Sequence, residues 1–179
     1  MRARRCTIDS SCIIALDHLN LIPKLSLLFS IVLVPKAVRE DLFKRRSTKN
    51  RLQSFFDTYA FLQHCDEYDR GAVDFLLAER ARRGSRDRGE VEAVVQASQV
   101  GAVVIVDDRW GRSLAEREDL EVHGTFWILL RFHELGLLPS TELRACVELL
   151  RIRKIRLPWK AVNEYLVRAG QEPLSESVK

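Results

Sequence analysis

No stretch of this 179-residue chain approaches the roughly 20 consecutive apolar residues that a membrane-spanning helix requires. The N-terminal Met-Arg-Ala-Arg-Arg-Cys-Thr-Ile-Asp is basic, but its apolar run breaks at Asp9, which does not fit a signal peptide. We therefore expect no membrane segment and a cytoplasmic location. Cysteine is sparse: Cys6, Cys12, Cys65 and Cys146 lie scattered in apolar-patterned segments without any C-x-x-C spacing. That argues against a zinc site or a disulfide framework and for buried, reduced thiols. Nucleotide-binding and serine-hydrolase signatures are missing too: there is no G-x-x-x-x-G-K-[ST], no G-x-G-x-x-G and no G-x-S-x-G. His133-Glu134 starts like a zinc-protease helix, but the position four after His133 is Leu137, so that motif fails. His18, His64, His123 and His133 show no metal-ligand spacing and read as surface or satisfied core residues.

What is present is an ordinary globular composition, 46% hydrophobic and 30% charged, enough for one domain with a real core. The expected layout is a single domain over residues 1–170, with 139–170 a C-terminal helical extension and 171–179 a polar tail. The net charge of +4 is unevenly placed. Lys44, Arg45, Arg46, Lys49 and Arg51 form one basic cluster, Arg80, Arg82, Arg83, Arg86 and Arg88 a second, and Arg151, Arg153, Lys154 and Arg156 a third.

The most informative stretch is Gly101–Arg112, in which the apolar run Ala-Val-Val-Ile-Val ends in Asp107 and Asp108. An unbroken β-branched run reads as a strand buried on both faces, the kind found in parallel sheets flanked by helices. In such sheets ligands bind beyond the carboxyl ends of the strands. Arg5–Asp9 reads as another strand ending in an acid, with Ser11 the expected cap of the next helix. Ile31–Val34 reads as a third, with Pro35 opening a helix. On that helix Ala37, Val38, Asp41 and Leu42 share one face by i, i+3 and i+4 spacing, which places Asp41, with Glu40 as its rival, toward the sheet. Further helices are predicted over Arg51–Asp57, Asp69–Arg83, Gly89–Val100, Arg112–Glu118, Phe126–Leu135, Leu143–Ile152 and Trp159–Ala169, and short strands over Tyr59–Cys65 and Leu120–Val122. Between Arg82 and Gly89 lies the one expected mobile loop. Glu90 falls in the first turn of its helix, with Glu92 and Asp87 as competitors. The alternation of strands and helices predicts an α/β fold with a mainly parallel sheet.

Asp9, Asp108 or Asp107, Glu90, and Asp41 or Glu40 are thus expected to converge. Gathered carboxylates repel one another and raise each other's pKa unless a divalent cation sits among them. All-oxygen ligands suit Mg²⁺ or Mn²⁺, and such a cation can hold a phosphodiester and activate water. The Lys44–Arg51 and Arg80–Arg88 clusters suit a polyanion held beside that site.

Four pieces of the chain, Thr7–Ser11, Val34–Leu42, Arg88–Ala93 and Ile105–Arg112, together resemble a PIN domain, the nuclease fold of many VapC-type toxins. The resemblance runs to about Leu138 and implies a three-layer α/β/α fold. It implies catalytic acids at Asp9, Asp41, Glu90 and Asp108, with Asp9, Glu90 and Asp108 on the metal. Asp41 stands where the family usually has Glu. Glu40, Asp107 and Ser11 are secondary candidates, Ser11 matching the small polar residue that steadies the first acid. The activity implied is that of a Mg²⁺- or Mn²⁺-dependent endoribonuclease, usually a homodimer and often restrained by a small antitoxin. Lys44, Arg45, Arg46, Arg82, Arg83 and Arg86 are the expected RNA contacts. The alternative is a catalytically weak or inactive module of the same fold that binds a protein or nucleic-acid partner.

Overall fold

A computed structural model describes residues 4–44, 46–81 and 88–174. The chain divides into two compact units, up to Gly124 and from Thr125 onward. The first holds a five-stranded sheet in the order β3-β2-β1-β4-β5, with every pairing parallel. Its strands are β1 (Arg5–Ile8), β2 (Ile31–Pro35), β3 (Leu62–Cys65), β4 (Val103–Ile105) and β5 (Val122–His123). The helices between them are α1 (Ser10–His18), α2 (Lys36–Phe43), α3 (Arg46–Thr58), α4 (Arg70–Ala81), α5 (Arg88–Val100) and α6 (Arg109–Arg117), with a 3-10 turn at Ile22–Leu27. The expected α/β class is what the chain adopts, and the sheet is wholly parallel. Among the described residues no helix is long and apolar enough to cross a membrane.

Parallel strands covered by helices must be apolar on both faces. Accordingly Cys6, Ile8, Val32, Val34, Val104 and Ile105 are all fully buried. The chain builds β1, β2 and β3 outward in one direction, then returns to lay β4 on the free side of β1, Ile8 beside Ile105. The strand order therefore reverses between β1 and β4. Connections on either side of such a point diverge and leave a crevice beyond the strand ends. Asp9, Asp107 and Asp108 follow those two strands.

Helix α5 departs from ordinary amphipathic behaviour, since every residue from Gly89 to Ala97 is buried. Its apolar positions Val91, Val94 and Ala97 share a cluster with Val73 of α4, Val104 of β4 and Leu114 of α6. Its polar positions bond to neighbours: Gln96 Nε2 donates to the Cys65 carbonyl at 2.7 Å, and Glu92 serves α2.

Several element ends differ from the sequence reading. Strand β1 stops at Ile8, and Asp9 rather than Ser11 caps α1. Pro35 is the N-cap of α2, not its first residue. Helix α3 begins five residues before Arg51, and α6 begins at Arg109, three before Arg112, because Asp108 caps it. Strand β5 lies at Val122–His123 rather than Leu120–Val122. Of the cysteines, Cys6 and Cys12 are buried, while Cys65 and Cys146 are only half-buried.

The second unit comprises α7 (Thr125–Glu134), α8 (Ser140–Ile152) and α9 (Trp159–Arg168). Gly136 at φ +70° lets the chain reverse after α7, and His133 Nδ1 lies 2.7 Å from the Leu138 carbonyl across that turn. His133 is therefore a structural residue of a helix end, in keeping with the failed zinc motif. Pro139 is the N-cap of α8.

Candidate active site

Asp9 is placed by the shortness of β1. Its own N–H still donates to the Ile105 carbonyl at 3.0 Å, so its backbone belongs to the sheet, while its carboxylate turns to cap α1. Asp9 Oδ2 accepts from the Ser11 N–H at 3.1 Å and from the Ser11 hydroxyl, and Ser10 Oγ lies 3.5 Å from Oδ1. Only 6% of the residue is exposed. Burial pushes the carboxyl above its ordinary range; the serine hydrogen bonds pull it part of the way back, and the charge of Asp107 pushes it up again.

Asp107 and Asp108, which follow β4 and precede α6, turn to different tasks. Capping an α-helix demands an oxygen two and three residues before the amides it accepts from. With α6 starting at Arg109, that residue is Asp108: its Oδ1 accepts from the N–H of Trp110 at 2.7 Å and of Gly111 at 3.4 Å. Asp107 is left for another task. Asp107 is the carboxylate whose charge reaches Asp9, and its Oδ2 accepts from the Cys12 thiol at 3.4 Å. Arg112 Nη1 donates to the Val106 carbonyl at 3.4 Å.

Glu90, in the first turn of α5, is buried. Its Oε2 sits 3.3 Å from where a side chain on Gly111 would begin, so the glycine leaves room for the carboxylate against the first turn of α6. Gly124 does the same for Asp107, since a Cβ there would run into Asp107 Oδ1. Two glycines thus leave space beside two carboxylates, Glu90 at the start of α5 and Asp107 after β4.

Asp41 and Glu40 do not share this setting. Both are exposed, and Asp41 forms an ion pair with Lys44 at 2.5 Å on its own helix. The buried face of α2 is Ala37, Val38 and Leu42; Asp41 stands at its edge and turns outward, contrary to the helical-face expectation. The complete convergence expected from sequence is also absent: among the described residues no three His, Cys, Asp or Glu side chains gather closely enough to hold a metal ion. Each acid instead turns to a local partner: Asp9 to Ser11, Asp107 to Cys12, Asp108 to the amides of α6 and Asp41 to Lys44. Of the expected RNA contacts, Lys44 is thereby committed to Asp41, while Arg45, Arg82, Arg83, Arg86 and the side chain of Arg46 lie outside the described residues, as do Asp87 and the expected mobile loop.

Two residues acquire roles that sequence reasoning missed. Cys12 was legible only as a buried thiol, yet one α-helical turn after Asp9 it reaches Asp107. Glu92 was visible only as a competitor of Glu90. It is 1% exposed and accepts from Ala37 N–H at 2.8 Å, Tyr68 hydroxyl at 2.7 Å and Arg88 Nε at 2.7 Å, so it is a buried structural carboxylate. A helix capped by proline, which has no side-chain acceptor, is the one signal that pointed to an outside oxygen.

The acids near the crevice offer the oxygen chemistry a hard divalent cation takes, although among the described residues they are not gathered into a ligand set. Asp9 is buried and feels the charge of Asp107, and the two glycines keep the space beside Glu90 and Asp107 clear of side chains. A parallel α/β sheet with acids past its topological switch point places a ligand site at that crevice. A family model described as a PIN domain matches residues 5–171, and the chain belongs to the PIN-domain family. PIN domains are generally nucleases that act on nucleic acids and typically use divalent metals. No curated protein is detectably similar to the chain in sequence.

One consequence concerns Gly124. An added methyl must push Asp107 aside, and the Val106 carbonyl, 3.3 Å away, has only to yield by a few tenths of an ångström. We expect Gly124→Ala to shift the melting temperature by less than about 3 °C, equivalent to roughly 1 kcal/mol at this size. Nucleic-acid cleavage should fall roughly tenfold or more, as when a group that orients a metal ligand is lost. Equal losses of stability and cleavage, followed by thermal denaturation and product formation, would remove Asp107 from the site.

Proposed function

We propose that this chain is a Mg²⁺- or Mn²⁺-dependent endoribonuclease, the toxin of a VapC-like toxin–antitoxin pair, working in the cytoplasm as a homodimer and restrained by a small antitoxin. The observation that carries the nuclease reading is the buried Asp9 carboxyl, raised by burial and by Asp107, at the crevice between β1 and β4. Asp9 and Asp107 would hold the cation, with Glu90 and Asp108 beside them. When bound, the cation supplies a site for phosphodiester oxygens and an acidified water. Ser11 and Ser10 fix Asp9, so its oxygens need no reorganisation when the substrate arrives. Cys12 orients Asp107, and Asp108 fixes the first turn of α6, against which Glu90 is packed.

A second reading has its own observation. Asp41 is exposed, is shorter than the usual Glu and is bound to Lys44, which favours a catalytically weak module that binds RNA or a protein partner without efficient cutting.

The deciding experiment is titration of Mg²⁺ and Mn²⁺ into the purified protein with structured RNA and with single-stranded DNA, for wild type, Asp107→Asn and Asp108→Asn. Asparagine caps helices as well as aspartate does, so both variants should remain folded. Expected results are metal-dependent cleavage of RNA, its loss in Asp107→Asn, and measurable turnover in Asp108→Asn. If Asp108→Asn is the silent variant, the ligand is Asp108, the residue implied by the family pattern. Wild type that binds RNA but never cuts it at any metal concentration establishes the binding module.

A further inference from the structure

The third basic cluster of the sequence lies in the C-terminal unit. There Arg151, Lys154, Ile155, Arg156, Trp159, Lys160 and Asn163 line a groove of about 550 Å³, within the roughly 300–1,000 Å³ typical of ligand sites. The segment 151–160 also contains Arg153 and has no acidic residue. Its shape comes from two adjoining helix ends. Lys154 takes a left-handed conformation at φ 58°, and the N–H of Ile155 donates to the Leu150 carbonyl at 2.9 Å, which stops α8; Pro158 then starts α9.

Part of this charge has a local explanation. Cations near the C-terminal end of α8 complement the negative end of its dipole, which accounts for Arg151, Arg153 and Lys154. Lys160 has the opposite relation: it lies in the first turn of α9, where the dipole is positive, no acid occurs and a cation is disfavoured. Glu164, 4.0 Å away and more than half exposed, offsets little of this. Trp159 is only half-buried and contributes its indole to the groove wall. Lys160, a cation that its helix does not call for, shares the groove with Arg156 and an accessible aromatic ring, and cations beside such a ring are the combination that holds a phosphate backbone while a base stacks.

We propose that this groove binds single-stranded RNA, with Arg156 and Lys160 on the phosphates and Trp159 under a base. A single strand is favoured over a duplex because stacking on the indole requires a base face that a duplex keeps covered. The inference deepens the nuclease reading and rests on it only for the choice of RNA as polyanion.

The test is fluorescence anisotropy of the full-length protein with a labelled 12-nucleotide oligouridylate. Measurements in EDTA across a range of KCl prevent metal-dependent cutting, and cleavage is assayed separately. Arg156→Ala/Lys160→Ala should weaken binding at least tenfold and reduce the log–log salt slope by about 1.4, at roughly 0.7 per phosphate contact on a single strand. Trp159→Ala should weaken it roughly tenfold with an unchanged slope, and Trp159→Phe should restore most of the loss. Circular dichroism of each variant separates loss of binding from loss of fold. Affinity and slope unchanged in both the double variant and Trp159→Ala overturn the proposal, even if wild type cleaves RNA. So does an acidic 12-residue peptide that binds more tightly than RNA and responds to the same substitutions. RNA binding that follows the predicted pattern in a protein that cuts nothing leaves the groove standing and removes the nuclease reading.

Discussion

Replacing Asp9 with Asn should suppress metal-dependent RNA cleavage by at least on the order of 100-fold while raising the melting temperature at neutral pH by a few degrees. The two effects have the same origin. Asn retains the geometry of the α1 cap, and Ser11 can still donate to its oxygen. What is lost is one negative charge in a buried place beside Asp107, and with it the buried oxygens proposed to hold the cation; even groups that merely orient ligands are worth roughly 10–100-fold. The pH dependence follows from the direction of the shift. Burial leads the causes that raise the Asp9 carboxyl in the folded protein above its ordinary range. A carboxyl raised in this way contributes stability below the unfolded value, and that contribution is lost as pH rises through the folded value. At pH 7 the wild type therefore carries the cost of an ionised, buried Asp9, and Asn does not. The advantage of Asp9→Asn should shrink as the pH falls through the raised Asp9 value and disappear below the ordinary aspartate range. Adding Mg²⁺ or Mn²⁺ should stabilise wild type and leave Asp9→Asn unmoved, since a ligand stabilises only the fold that binds it. Thermal melts at several pH values, with and without metal, check each step. A melting temperature that is lower at neutral pH in the variant, or a metal response that survives in it, contradicts the assignment of Asp9.

The sheet was legible because buried parallel strands leave an unmistakable trace. Val103–Ile105 and Ile31–Val34 are apolar at every position, and the first is soon followed by Asp107 and Asp108, the second by Pro35. That Asp107 and Asp108 divide their roles is what alternation carried past the end of β4 predicts. Which of them caps α6 is not legible, because Gly111 has weak helix propensity and the pattern predicts a start at Arg112; only the observed start makes Asp108 the residue at capping distance. Asp41 failed differently. Periodicity assigns a face to within about a residue, and at the margin of a face a short acid with a lysine three residues on turns to water. Cys12 was hidden because its partner is 95 positions away in the chain. The buried polar residues of α5 were illegible for a general reason: periodicity assumes that polar side chains face outward, and a helix enclosed on nearly every side breaks that assumption.

Glu92 provides the largest expected effect on stability. Helix α2 starts after Pro35, whose ring offers no oxygen to the exposed amides of the first turn. Glu92 Oε2, reaching over from α5, accepts from Ala37 N–H and so does what a capping side chain ordinarily does, while Oε1 accepts from Tyr68 and Arg88. Arg88 is held charged, its guanidinium raised by the hydrogen bonds to Tyr68 and Glu92. Glu92→Ala removes three hydrogen bonds to a charged acceptor, leaves the Ala37 amide buried without that oxygen, and opens a space in a helix enclosed throughout. Hydrogen bonds to charged groups are worth roughly 1.5–3 kcal/mol each, but Arg88 is half-exposed and can turn to water, so the total should be about 3–4 kcal/mol. At about 2–4 °C per kcal/mol for a chain of this length, the melting temperature should fall on the order of 10 °C. Glu92→Gln keeps an oxygen for Ala37 and should lose about a third as much. The readout that separates this role from catalysis is recovery: at a temperature where Glu92→Ala is still folded, its metal-dependent cleavage should remain within a few-fold of wild type. An unchanged melting temperature in Glu92→Ala would mean that α2 needs no oxygen from α5, and cleavage lost in the folded variant would move Glu92 into the site in place of Glu90.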